Sequence, residues 1–189
     1  LIKAAVRHRP DWIIVGEIRG EEAYVLFQAL ATGHGGLCTM HAEDAGTAIK
    51  RLTQPPMNIP ATIIPLMHCV ISVKHVKAPI LVNYGRRSSK RKFVKISEVV
   101  SANSVHDVFV WDNTAGVYRE DLANSYLFQK IAEKWSLPVE YVLEEYEHRK
   151  KVLEYLVAKN IRSCRSIAKF LGKFYSDPEI TYNEILESR

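Results

Sequence analysis

Arg9 to Ala23 reads RPDWIIVGEIRGEEA, and the reading of this stretch decides the fold. Trp12, Ile13, Ile14 and Val15 form a short continuous apolar run, the pattern of a strand buried on both faces of a parallel sheet. Gly16 and Glu17 follow at its carboxyl end, with Arg19 just beyond. In open α/β sheets ligands gather outside the carboxyl ends of the strands, so Glu17 and Arg19 stand where chemistry is usually done. Taken alone, the run is equally compatible with an ordinary buried strand trailing two exposed charges.

A second polar cluster follows in TGHGGLCTMHAEDAGTAIKRL, from Thr32 to Leu52. Gly33, Gly35 and Gly36 surround His34 and let the backbone turn tightly or approach a bound group closely. Leu37 to Met40 is a short apolar strand, and His41 falls where it gives way to a helix. Asp44 is placed to cap that helix, whose free amides and dipole favour a nearby anion. A lone His beside glycines is ordinarily a turn residue. Two of them in one loop, after a Gly-Glu strand end, point instead to a phosphate site.

Together these residues closely resemble the secretion ATPase superfamily: type II and type IV secretion ATPases, type IV pilus motors and their archaeal pilus and archaellum relatives. Ile13 to Glu17 is similar to that family's Walker B box, with Gly16 in place of the usual Asp and Glu17 as the catalytic carboxylate. Gly33 to Ala42, GHGGLCTMHA, is similar to its His box, and Arg7 and Arg9 before Pro10-Asp11 match the basic lead-in. A weaker likeness, to the archaeal branch, runs through VFVWDNTAGVY and SYLFQKIAEKWSLPVEYVLEEYEHRKKVLEYLVAKNI, so that the resemblance covers most of the chain.

The resemblance implies an α/β fold: residues 1–116 as the second half of a RecA-like P-loop NTPase core with antiparallel strands appended, and residues 117–189 as a helical C-terminal region. It implies ATP and Mg2+ as cofactors of the intact protein and a homo-hexamer whose hydrolysis drives protein export or pilus or archaellum assembly. Such a motor is cytoplasmic, peripheral at the inner face of the membrane, beside a membrane-embedded platform protein. Phosphoryl transfer needs charge neutralisation, a positioned water and a sensor of the γ-phosphate. Glu17 is then the residue that polarises water and holds magnesium through a water molecule, and His41 resembles the family's γ-phosphate sensor. Arg19 completes the catalytic set. Gly16, His34, Arg7 and Arg9 join Glu17 and His41 at the nucleotide, the arginines supplying positive charge in their own subunit or across an interface.

The phosphate loop G-x-x-x-x-G-K-[ST] is absent from the sequence, since Gly172-Lys173 precedes Phe174 and lacks the earlier glycine. The chain opens on Leu1, shortly before a core strand. The expectation is a C-terminal part of a longer ATPase, unable alone to bind ATP tightly or hydrolyse it, with a split gene or an inactive relative as alternatives.

At 189 residues and 47% hydrophobic, the chain supports one substantial core or a core plus an appendage. No apolar run is long enough to span a bilayer. Cys38, Cys69 and Cys164 lie far apart without metal-ligand spacing and read as reduced, mostly buried thiols. The net charge of +5 concentrates in Lys74, Lys77, Arg86, Arg87, Lys90, Arg91, Lys92 and Lys95. That run reads first as a solvated hairpin, with an anionic partner as its functional alternative. The rival to a motor is accordingly a basic module that binds nucleic acid or an assembly partner and hydrolyses nothing; nucleic acid is the disfavoured partner. A metal hydrolase using His34, His41 and Glu43 lacks a further ligand at suitable spacing.

Beyond β-strand Trp12–Val15, the pattern predicts helix 21–31, strand 37–40, helix 45–52, a short helix before Pro65, and strands at 70–73, 80–83, 92–100 and 105–111. From about Leu122 it turns helical. Val139, Val142, Leu143, Tyr146, Leu153, Leu156 and Val157 repeat at helical spacing as a core-facing stripe, with Glu145–Arg149 and Glu147–Lys151 pairs outside it. Ser163 and Asp177-Pro178 are helix starts.

Overall fold

Strands β1 (Trp12–Val15) and β2 (Gly35–Cys38) pair in parallel, with Ile13 opposite Gly36 and Ile14 opposite Leu37, in the computed structural model, which describes residues 2–77 and 89–187. A short helix α1 (Ile2–Arg7) precedes β1, and α2 (Glu22–Ala31) links the two strands. Helix α2 covers the face that carries Ile13 and Gly36: a Cβ on Gly36 would sit 2.5 Å from Leu30 Cδ2. Gly35 faces the other way, where a Cβ would meet the Trp12 ring at 2.6 Å. These two glycines make room for Leu30 and Trp12, while Gly33, at φ +95°, makes the turn.

The expected burial of β1 on both faces is corrected. Ile13 is buried, but Trp12 is 61% and Ile14 74% exposed, and Leu37 beside them is 56% exposed. Burial needs a layer on each side, and among the described residues only the α2 side has one.

Helix α3 (Ala45–Thr53), a 3-10 turn (Ala61–Leu66) and the long antiparallel sheet β3–β4–β5–β6 complete this part: β3 (Cys69–Lys77), β4 (Ser89–Ser101), β5 (Ser104–Asp112) and β6 (Val117–Glu120). The core joins Ile13 and Ile18 to Leu26 and Phe27 of α2, Ile49 and Leu52 of α3, and Ile64 and Val99. β3 and β4 run as a ribbon from Cys69 opposite Glu98 to Lys77 opposite Ser89, as a hairpin requires. The strand expected at 80–83, with Arg86 and Arg87, lies outside the described residues.

The chain divides into two units, Leu1–Leu127 and Phe128–Arg189. The first extends past the expected boundary at residue 116 for a local reason. β6 pairs with β5, and buried Glu98 of β4 accepts bonds from Ser125 Oγ at 2.6 Å and from the Tyr126 and Leu127 amides at 2.7 and 3.3 Å. Both units together form a mixed α/β chain whose antiparallel strands and helical end match the expectation.

In the second unit α5 (Val139–Ala158), α6 (Cys164–Ser176) and α7 (Pro178–Glu187) follow α4 (Tyr126–Trp135) and pack around Val152, Phe174 and Ile185. Ser163 caps α6 by accepting from the Ser166 amide at 3.1 Å, and Pro178 opens α7. The expected stripe on α5 holds at Val142 and Leu156, whereas Leu153 and Val157 are exposed and Val152 takes the inner position. Of the surface pairs, Glu145–Arg149 forms; Glu147 pairs with Lys150 at 3.6 Å, because Lys151 reaches Tyr182 Oη at 2.7 Å. The cysteines are exposed rather than buried.

Candidate functional site

Glu17 leaves the carboxyl end of β1 between two residues that are both tied to the end of β2. Its neighbour Ile18 is buried in the core, and the Ile18 amide donates to the Thr39 carbonyl at 2.9 Å. On the other side the Thr39 hydroxyl donates to the Gly16 carbonyl. The Glu17 backbone is thereby fixed relative to the second strand, and its side chain emerges half-buried. Gly16 itself meets no crowding: a Cβ there would have open space.

Arg19 then turns back. Its amide and that of Gly20 donate to Glu22 Oε1 at 2.5 and 2.8 Å, so Glu22 satisfies free amides ahead of α2, and these amides hold its carboxyl below the usual range. The Arg19 guanidinium meets Glu17 with both prongs, Nε to Oε1 and Nη2 to Oε2, each at 2.6 Å. From the end of β2, His41 brings Nε2 to 3.3 Å from Glu17 Oε1, its ring otherwise exposed. The Arg19 hydrogen bonds hold the Glu17 carboxyl below its ordinary range, helped by the charges of Arg19, His41 and Arg51 and opposed by burial. The same pairing pushes the Arg19 guanidinium up.

The segment bearing His41 is secured at both ends and in the middle. Thr39 holds its start, and Asp44 caps α3 by accepting from the Thr47 amide at 2.7 Å. Arg51, in the last turn of α3, donates through Nη1 to the His41 carbonyl.

Glu17, Arg19 and His41 therefore meet in one cluster, while Arg7, Arg9 and His34 do not. Arg7 ends α1 and Arg9, in the left-handed region at φ 49°, precedes β1; His34 precedes β2. All three sit at the amino ends of the parallel strands, and four strand residues rise about 13 Å before the Glu17 end is reached. His34 Nδ1 lies 3.1 Å from both Thr32 Oγ1 and the Ala29 carbonyl, closing the end of α2. His34 and His41, at opposite ends of β2, are not brought together, and among the described residues no group of three or more His, Cys, Asp or Glu is disposed to hold a metal ion. Sequence reading missed Thr39, Glu22 and Arg51. Their signals were present, a hydroxyl two residues before His41, a carboxylate at a helix start and a cation in a last turn, but each is too common to single out.

The family model described as "Type II/IV secretion system protein" matches residues 1–113. An uncharacterized protein of Methanocaldococcus jannaschii is 36% identical over 157 residues, 82% of this chain and 57% of that protein. The type IV secretion system protein PtlH of Bordetella pertussis is 46% identical over 61 residues, 32% of this chain and 18% of its own. A probable conjugal transfer protein, TrbB, of Sinorhizobium fredii is 47% identical over 55 residues, 29% of this chain and 17% of its own. The chain thus spans little more than half the length of the first of these relatives, and much less of the others.

Proposed function

The chain belongs to the type II/IV secretion system protein family, and on that footing we propose that it is the catalytic-carboxylate part of a motor ATPase that couples ATP hydrolysis to protein export or to pilus or archaellum assembly. The observation that carries this reading is the Glu17–Arg19–His41 cluster at the carboxyl ends of two parallel strands. The first unit is read as holding the second half of a RecA-like core, and the helices from α4 on as an appendage. The uncovered Trp12, Ile14 and Leu37 support further strands packing there in the whole protein, and the share of each relative's length that the chain spans agrees with this.

In the proposed reaction Glu17 accepts the proton of the attacking water. Arg19 bonds each of its oxygens once in the resting site and leaves each a lone pair for that water; swung toward the phosphates, Arg19 would give its charge to the transition state. His41 donates to the γ-phosphate and carries α3 with it as the phosphate departs. Glu17 is the carboxylate of the cluster that would hold Mg2+ through a water molecule. Magnesium would supply charge neutralisation there. Arg7, Arg9 and His34, a strand length away, fit a nucleotide held by a neighbouring subunit of a homo-hexamer better than the one beside Glu17. No helix among the described residues is long and apolar enough to cross a membrane, and the motor is proposed to act peripherally at the cytoplasmic face, beside a membrane-embedded platform protein.

Steady-state ATP hydrolysis by the full gene product tests this. Glu17→Gln should keep nucleotide binding and lose about 10²-fold or more in turnover, the scale of a lost general base. Unchanged turnover would sink the role of Glu17. No turnover in the wild type, with nucleic-acid affinity that falls steeply with salt, would favour the non-hydrolysing basic module instead.

A further inference from the structure

His41 has a mostly exposed ring on a segment without regular structure, and its geometry at Glu17 therefore depends on what fixes its backbone. Thr39 fixes the start of that segment and the Asp44 cap fixes its end. Between them the fixing group is Arg51, whose guanidinium donates to the His41 carbonyl from the last turn of α3. The helix turn that carries exposed Arg51 is held in place, because the next residue, Leu52, is fully buried and Ile49 on the same helix is buried in the core. One side chain thus grips the backbone of one member of the cluster.

We infer that Arg51 is the positioning residue through which α3 sets the contact between His41 and Glu17. The inference rests on the proposed hydrolysis, and deepens it by naming the link between the site and the helix that would carry its motion. Arg51 touches neither water nor phosphate in this role. Its loss should therefore lower turnover without altering nucleotide affinity, and should matter only while His41 is present.

The test uses Arg51→Gln, Arg51→Lys, His41→Ala and the Arg51→Gln/His41→Ala double variant of the full gene product. Arg51→Gln should reduce kcat roughly tenfold with KM for ATP and thermal midpoint unchanged, Arg51→Lys should retain most of the activity through its remaining donor and charge, and Arg51→Gln should add nothing once His41 is gone. Loss of activity that is the same in both backgrounds, or no loss at all, would overturn the inference. If the wild type hydrolyses no ATP, the functional reading fails separately, and the link is decided by backbone NMR relaxation of residues 40–43 in the 189-residue chain. Arg51→Gln raising the motion of that segment alone sustains the positioning role; an unchanged segment overturns it.

Discussion

Glu17 keeps its charge at the cost of basicity. Two hydrogen bonds from Arg19 stabilise the carboxylate, which is why its proton affinity lies below that of a free glutamate. A 13C titration of the Glu17 carboxyl should find it below the range of a model peptide, and Arg19→Ala should move it back toward that range. The sign for stability follows: a folded value below the unfolded one contributes stability above the unfolded pKa, and that contribution disappears as pH falls through the folded value. Arg19→Ala should therefore flatten the acid side of the stability profile, and an unshifted titration would mean that the pair does not persist in solution. At this scale the sequence was informative about which residues carry charge at the strand ends. It was silent on how they pair, because the Arg19 prongs and the His41 ring are aimed by Glu22 and Thr39, which no spacing rule connects to them.

Among the elements, β4 does more than lengthen a hairpin. Glu98, buried within it, takes the first amides of α4 and the Ser125 hydroxyl, so the strand holds the place where the helix begins. Glu98→Ala removes an acceptor from all three donors and should cost about 1–3 kcal/mol in urea unfolding, against much less for an exposed change such as Glu120→Ala. The amphipathic stripe of α5 illustrates what periodicity leaves open. Residues 152 and 153, like 156 and 157, are both admissible on one apolar face at 3.6 residues per turn; the packing of Phe174 and Ile185 selects Val152, and Leu156 rather than Val157 is buried. The caps Asp44 and Ser163 were legible to the residue, because a capping side chain is read within one turn, whereas the strand expected at 37–40 runs Gly35–Cys38, that at 70–73 extends over Cys69–Lys77, and β6 was not expected.

For the molecule as a whole, the bare face of β1 and β2 is the clearest consequence. Ile14, 74% exposed, should tolerate Ile14→Thr in this chain with a change under about 0.5 kcal/mol, as exposed positions do. In the full gene product the same change should cost a core-like penalty of about 1–3 kcal/mol if further strands cover that face. Equal, small effects in both, compared by chemical unfolding, would mean that the face stays open. The sequence by itself determined the α/β character, the order of the elements apart from α1 and β6, the Gly-Glu strand end, the His41 turn and the helical end, since each rests on periodicity, capping or turn chemistry acting within a few residues. Only the tertiary structure decided which faces are covered, that His34, Arg7 and Arg9 stand at the far ends of the strands from Glu17, and that Thr39 and Arg51 hold the site together. The reason is physical: burial and aim depend on contacts between segments remote in the chain, such as the Thr39 hydroxyl and the Gly16 carbonyl 23 residues apart, and no local pattern encodes those.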